Sequence, residues 1–288
     1  MRLNLSQPNL SQSGAATSVF GRSSARVRSV LAFTLIEMLV VIIIIAIISS
    51  IAIPAINGLT KSNTMSTATR QLLDDVAYAR QKAISGRTTV YMVFVPPEFW
   101  SGVNAVPFNA LNPVSKKQAN TLLNGQYTSY ALYVERTLGD QIGRNATNYL
   151  TAWRSLPEGV LIETNKFSLL TNLFETIVDP YDKTRQFEVR PFQRRSFVFP
   201  STEITNVVPR KFELPYIAFN PQGGLVSLQD EFITLSPGSI FYLTNSAGGP
   251  LAPDVVQTGY REATRTNFTL IRVDSLTGRA KLERMEIQ

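Results

Sequence analysis

The chain contains one stretch that severely limits what it can be: Phe33 to Ile56 reads FTLIEMLVVIIIIAIISSIAIPAI, with Glu37 as its only charge. At about 1.5 Å per residue this run makes roughly 36 Å of helix, enough to cross a hydrocarbon core about 30 Å thick. Its β-branched residues would suit a buried strand in water. In lipid the backbone must satisfy its own hydrogen bonds, so a run this long is expected to be a helix. Arg22, Arg26 and Arg28 stand before the run and no basic residue follows closely, so the N-terminus is expected to stay cytoplasmic and the rest to lie outside. A secretory signal peptide fits less well, because the run exceeds the usual hydrophobic region and no Ala-x-Ala site follows it. A plain signal anchor fits better but leaves Glu37 unexplained.

Glu37 is the informative residue. A lone carboxylate in an apolar span costs about 2–3 kcal/mol, so it ordinarily has a partner. Cleavage before Phe33 would create an α-amino group one helical turn away. Two unit charges at about 4 Å in an effective dielectric near 20 attract by about 4 kcal/mol, enough to offset that penalty. The amine could belong to the same chain or to a neighbouring copy.

Ala32-Phe33-Thr34-Leu35-Ile36-Glu37, a basic leader before it and an unbroken apolar run after it resemble the class III signal of type IV prepilins and type II secretion pseudopilins. Phe33 would be the first mature residue, Glu37 the fifth and Pro54 the twenty-second. The resemblance implies cleavage between Ala32 and Phe33 by a prepilin peptidase, N-methylation of Phe33, and assembly with sibling pilins or pseudopilins on an inner-membrane platform through a helix that includes Glu37 and Pro54. The family usually has Gly before the cut. Ala32 is the next smallest residue, and slower processing is expected.

Charge and composition narrow the remainder. Of the net charge of +7, four arginines (Arg2, Arg22, Arg26, Arg28) belong to a leader without acidic residues; residues 33–288 hold 24 basic against 21 acidic groups. A generally basic surface for nucleic acid is therefore not expected. There is no Cys and no His, which excludes disulfides, thiol catalysis, Cys/His zinc sites and every His-dependent mechanism. No enzyme activity, cofactor or metal site is expected.

The expected organisation is a leader at 1–32, a membrane and assembly helix at 33–56, an amphipathic continuation at 57–86 and a β-rich extracytoplasmic head at 87–288. The fold class is α+β and pilin-like: a long helix packed on an antiparallel sheet. Pro54 and Gly58 should kink or loosen the helix. Beyond them Ala68, Leu72, Val76, Ala79 and Ala83 form a helical stripe that ends near Gly86. Alanine at three of the five positions favours close packing on a sheet over a coiled coil. Strands are expected at 88–95, 129–135, 160–164, 196–199, 216–219, 232–235, 239–243, 267–274 and 280–287. Residues 98–127, 137–155, 165–185 and 244–266 read as surface loops.

Three segments are similar to the GspH/FimT pseudopilin family: Leu72 to Ile84 leading into a strand, Ile217-Ala218-Phe219-Asn220-Pro221-Gln222-Gly223-Gly224, and Phe268 to Val273 followed by Thr277-Gly278-Arg279-Ala280. That resemblance implies a minor pseudopilin of a type II secretion or type IV pilus-like machine. The alternative is a DNA-uptake or adhesive minor pilin. For it, Arg190, Arg194, Arg195, Arg210 and Lys211, with Phe192 and Phe197 interleaved, are the candidate nucleic-acid contacts; solvated strand edges are the plainer reading. A membrane-anchored enzyme is a further rival, disfavoured by a head without His or Cys. Asp179, Asp182, Asp230 and Glu231 read as exposed turn carboxylates, not calcium ligands.

Overall fold

A computed structural model describes residues 34–100, 108, 111–136, 148–170, 174–179, 182–200, 211–244, 246, 249–257 and 268–283, with backbone alone for 51–62. The chain divides into two compact units, Met1–Ala52 and Ile53–Gln288.

Helix α1 (Leu35–Gly86) belongs to both units and includes Pro54 and Gly58. It begins on a cap: the Glu37 amide donates to Thr34 Oγ1 at 3.2 Å and the Met38 amide to the Thr34 carbonyl at 3.2 Å. Threonine there satisfies a backbone donor that the first turn leaves open. In the first unit the large apolar side chains from Leu35 to Ile48 are exposed. Among the described residues no helix is long and apolar enough to cross a membrane. The run's described side chains in α1 end at Ser50, and Leu35 to Ser50 spans about 24 Å of helix.

The second unit is an antiparallel β structure built around the later part of α1. One sheet has the order β3 (Asn148–Tyr149), β2 (Ser129–Val134), β1 (Val90–Phe94), β9 (Lys211–Phe219), β8 (Gln193–Val198), with β4 (Arg154–Ser155) also on β2. The other has the order β11 (Asp254–Gln257), β10 (Glu231–Phe241), β12 (Thr269–Val273), β13 (Ala280–Glu283), with β5 (Val160–Ile162) also on β10. A ribbon of β6 (Glu175–Val178) and β7 (Gln186–Val189) completes the set.

Ala68, Leu72, Val76, Ala79 and Ala83 are all fully buried, so the stripe read from helical spacing is the packed face of α1. They share one core with Val90, Met92 and Phe94 of β1 and with Ile233, Leu235, Ile271 and Val273 of the second sheet. The alternate residues of β1, Tyr91 and Val93, enter a second core with Phe99, Trp100, Leu111 and Phe197. A central strand covered on both faces explains why residues 88–95 show apolar continuity without alternation. Because three alanines set the helix–sheet distance, Ala79→Leu is expected to cost about 1–3 kcal/mol by overpacking, read as a lower urea midpoint in detergent.

The segments read as surface loops need correcting. Residues 98–127 contain helix α2 (Pro113–Thr121), capped by Asn112, whose Oδ1 accepts from the Ser115 amide at 2.7 Å. Phe99, Trp100, Leu111 and Ala119 from this segment close the outer face of the first sheet. Likewise 137–155 supplies β3 and β4, 165–185 supplies β6, and 244–266 supplies β11. Their strands are two to four residues long, too short to carry a period. The runs at 232–235 and 239–243 are one strand, β10, which continues through Pro237-Gly238. Proline is tolerated there because it lies where β10 passes from its pairing with β12 to its pairing with β11.

Candidate functional site

The first candidate site is the start of α1. Thr34 and Glu37 occupy the first and fourth positions of a T-x-x-E capping pattern, a signal present in the sequence beside the cleavage pattern itself. Glu37 thus lies in the first turn, where exposed amides give the helix end a partial positive charge that favours a carboxylate. Ala32 and Phe33 lie outside the described residues, as does the side chain of Pro54.

The second candidate is the basic set on β8 and its flanks. Arg190 pairs with Glu188 at 2.8 Å and donates to Gln229 Oε1 at 2.6 Å. Arg194 pairs with Glu98 and donates to the Phe167 carbonyl at 3.0 Å. Arg195 pairs with Glu135 at 2.8 Å, donates to the Tyr91 hydroxyl and lies over the Tyr91 ring. Each of these guanidinium groups is balanced by a carboxylate of the same chain. Lys211 is exposed at the start of β9, and Arg210 lies outside the described residues. Phe192 and Phe197, read as interleaved aromatics, are both fully buried, Phe192 stacked on Phe94 at 4.3 Å. Neither ring is presented for stacking on a base.

Of the four acidic positions read as exposed turns, Asp182 fits that reading and Asp179, Asp230 and Glu231 do not. Asp179 is buried and lies 3.6 Å from Arg185, while Asp182 is exposed and accepts from Thr184. Asp230 accepts from Arg272 Nε at 2.8 Å and from the Ser275 amide at 2.8 Å. Burial works to raise the Asp230 carboxyl, but the bonds from Ser275 and Arg272 outweigh it and hold it below the usual carboxylate range. Glu231 pairs with Lys166, which is wholly buried, donates to the Arg190 carbonyl and lies 4.4 Å from the centre of the Phe192 ring. Burial pushes the Lys166 ammonium below the ordinary lysine range against the pull of Glu231, and pushes the Glu231 carboxyl up against the pull of Lys166. Sequence reasoning missed this pair because 65 positions separate its members and neither stands in a local pattern.

A second unforeseen constellation ties the helix to the first sheet. The Tyr130 hydroxyl donates to Asp75 Oδ2 at 2.7 Å, Gln71 Nε2 donates to that hydroxyl at 3.0 Å, and Arg154 pairs with Asp75. Burial first, and then the Asp75 carboxylate, hold the Tyr130 phenol far above its ordinary range, so it acts as a fixed donor.

The third candidate is the junction of two turns. Asn220 Oδ1 accepts from the Gln222 and Gly224 amides at 2.9 and 3.0 Å, which shapes the turn after β9. Asp274 Oδ1 accepts from the Thr277 amide at 2.7 Å and shapes the turn between β12 and β13. The two turns touch: the Leu225 amide donates to the Ser275 carbonyl at 2.7 Å, and Arg80 Nε of α1 donates to the Thr277 carbonyl at 2.6 Å. Helix, turn and hairpin thus meet at one point.

No curated protein and no solved structure matches the chain. Residues 28–53 match the prokaryotic N-terminal methylation motif. That match contains Arg28, the Ala32–Glu37 pattern and most of the apolar run, and it makes the N-terminal segment of this chain type IV pilin-like.

Proposed function

We propose that this chain is a non-enzymatic subunit of a pilus-like filament, a minor pseudopilin or pilin of a type II secretion or type IV pilus-like machine. The observation that carries this reading is the methylation motif at 28–53, whose described residues from Thr34 onward start a capped helix with apolar side chains uncovered from Leu35 to Ile48. A continuous exposed apolar surface on a helix requires lipid or a partner. The helix is held in the inner membrane with the head outside, and on assembly it exchanges lipid for the helices of sibling subunits. Prepilin peptidase cuts between Ala32 and Phe33 and methylates Phe33, and the new amine meets Glu37 in the first turn.

Placement in the GspH/FimT group rests on the three segments similar to that family. In the fold they adjoin: Arg80 of the first reaches Thr277 of the third, and Gly278 of the third abuts Gly223 of the second.

Intact mass and N-terminal sequencing of the protein purified from its own host test the reading. The expected product begins with N-methylated Phe33, and Ala32→Gly is expected to speed its appearance in a pulse-chase. A chain that keeps Met1 while other prepilins of that host are cut would end the filament reading.

A further inference from the structure

Among the described residues Lys166 is the one cation with no exposed surface, and its amine touches a carboxyl group. Lys166 lies in the turn Thr164–Phe167 that follows β5. Its Nζ contacts Glu231 Oε1 at the start of β10 and donates to the Arg190 carbonyl between β7 and β8. The Phe192 ring covers Nζ from one side, and Phe94 and Phe167 pack on that ring in turn. Backbone bonds hold the reacting positions. The Lys166 amide donates to the Glu163 carbonyl at 3.1 Å, and the Phe192 amide donates to the Lys166 carbonyl at 2.8 Å. Glu231 is fixed by its place opposite Val273 in the β10–β12 ladder.

Such a site suits a bond better than two charges. Taking an ammonium and a carboxylate out of water is expensive, and their mutual attraction repays it only in part. Burial acts on both groups in the sense that removes their charge, lowering the ammonium and raising the carboxyl. A desolvated, uncharged lysine amine is a nucleophile, and a carboxylic acid held against it is an acyl donor. Fixed contact between two reactants is worth an effective concentration of about 10⁵–10⁸ M. Condensation would leave one neutral amide in place of two buried charges, with the Arg190 carbonyl ready to accept from its N–H. The Glu231 side chain is 15% exposed, which leaves a released water a way out.

We propose that Lys166 and Glu231 join in the folded head as an amide between Nζ and the side-chain carboxyl carbon. One ammonium proton passes to the carboxylate, giving amine and acid. Nζ then attacks the carboxyl carbon, a C–N bond forms, and the C–OH bond breaks. The hydroxyl leaves with a second proton from nitrogen as one molecule of water. No oxidant, reductant or activated ester is consumed. Glu163 is the other buried carboxylate whose charge acts on Lys166, but its Oε1 accepts from Ser236 Oγ at 3.1 Å, and the contact with Nζ belongs to Glu231.

The link spans 65 positions and fastens the turn after β5 to the first residue of β10. In a chain without cysteine it does for the head what a disulfide does elsewhere, closing a long loop of the unfolded chain. Stability differences that come from the charges alone belong to the chain before water is lost. The inference goes beyond the filament reading and does not depend on it.

Trypsin digestion of the full chain, purified in detergent and analysed by mass spectrometry, reads the bond directly. Lys166 is the only tryptic site between Arg154 and Lys183, and there is none between Lys211 and Arg261. The expected species is residues 155–183, uncut at Lys166, joined to residues 212–261, with a mass one water below the sum of the two peptides. Lys166→Arg, which keeps a cation but lacks the primary amine, and Glu231→Ala are both expected to lose that species. Recovery of 155–166 and 167–183 as separate peptides from the unaltered chain would overturn the proposal, whatever the variants do. A 155–183 peptide one water light and not joined to 212–261 would also overturn it, because Lys166 would then have taken Glu163. The N-terminal peptide of the same digest reports separately whether the chain is cut before Phe33, so either idea can fail alone.

Discussion

Replacing Glu231 by Gln is expected to destabilise the head by about 3–5 kcal/mol at neutral pH, because it leaves the Lys166 ammonium buried without a counter-charge. What remains around Nζ is the Arg190 carbonyl and the Phe192 face. The deficit depends on pH with a definite sign. Burial lowers the Lys166 pKa in the folded state, so without Glu231 the unfolded chain binds the extra proton. Stability of the variant therefore rises with pH between the lowered folded pKa and the ordinary lysine range, and falls as pH drops through the folded pKa. Lys166→Met/Glu231→Leu removes both charges and is expected to recover most of the loss. Urea unfolding in detergent, followed through Trp100 and Trp153, measures all three proteins. If Glu231→Gln and the double variant lost the same amount, the cost would be one of packing and not of charge.

Gly278→Ala is the second large effect, expected to cost about 3–5 kcal/mol. Gly278 has φ of +62°, which alone costs an L-residue about 1–2 kcal/mol. A Cβ there would lie 2.0 Å from the Gly223 carbonyl oxygen, a backbone atom that can move only if the neighbouring turn moves. Gly159→Ala isolates the first cost: its φ is +87°, but a Cβ there meets nothing within 4 Å. The difference between the two variants in thermal unfolding measures the contact between the turns. Equal losses would show that the turns do not depend on that contact.

The legibility of this chain follows the range of the forces involved. The stripe from Ala68 to Ala83 could be read because one helix face against one sheet imposes a regular spacing on a single segment. The cleavage pattern could be read because its features sit at fixed offsets within six residues. Residues 98–127 were misread because their apolar residues are dispersed among Asn, Pro and Lys; they cover a sheet from outside and need no period. Arg194 and Arg195 looked free because Glu98 and Glu135 lie far away in sequence. Lys166 and Asp75 were invisible for the same reason: a buried charge is explained by its partner, and distant partners leave no mark on the spacing around it.

Thr34 has a consequence for the history of the leader. The residue that starts the helix stands on the mature side of the proposed cut between Ala32 and Phe33, so among the described residues none of the groups bonded to the first turn would be lost with residues 1–32. On the proposed processing, the first turn would keep its threonine cap when the leader is cut. Under that proposal the leader would be free to change in length and sequence without disturbing the cap that starts the helix.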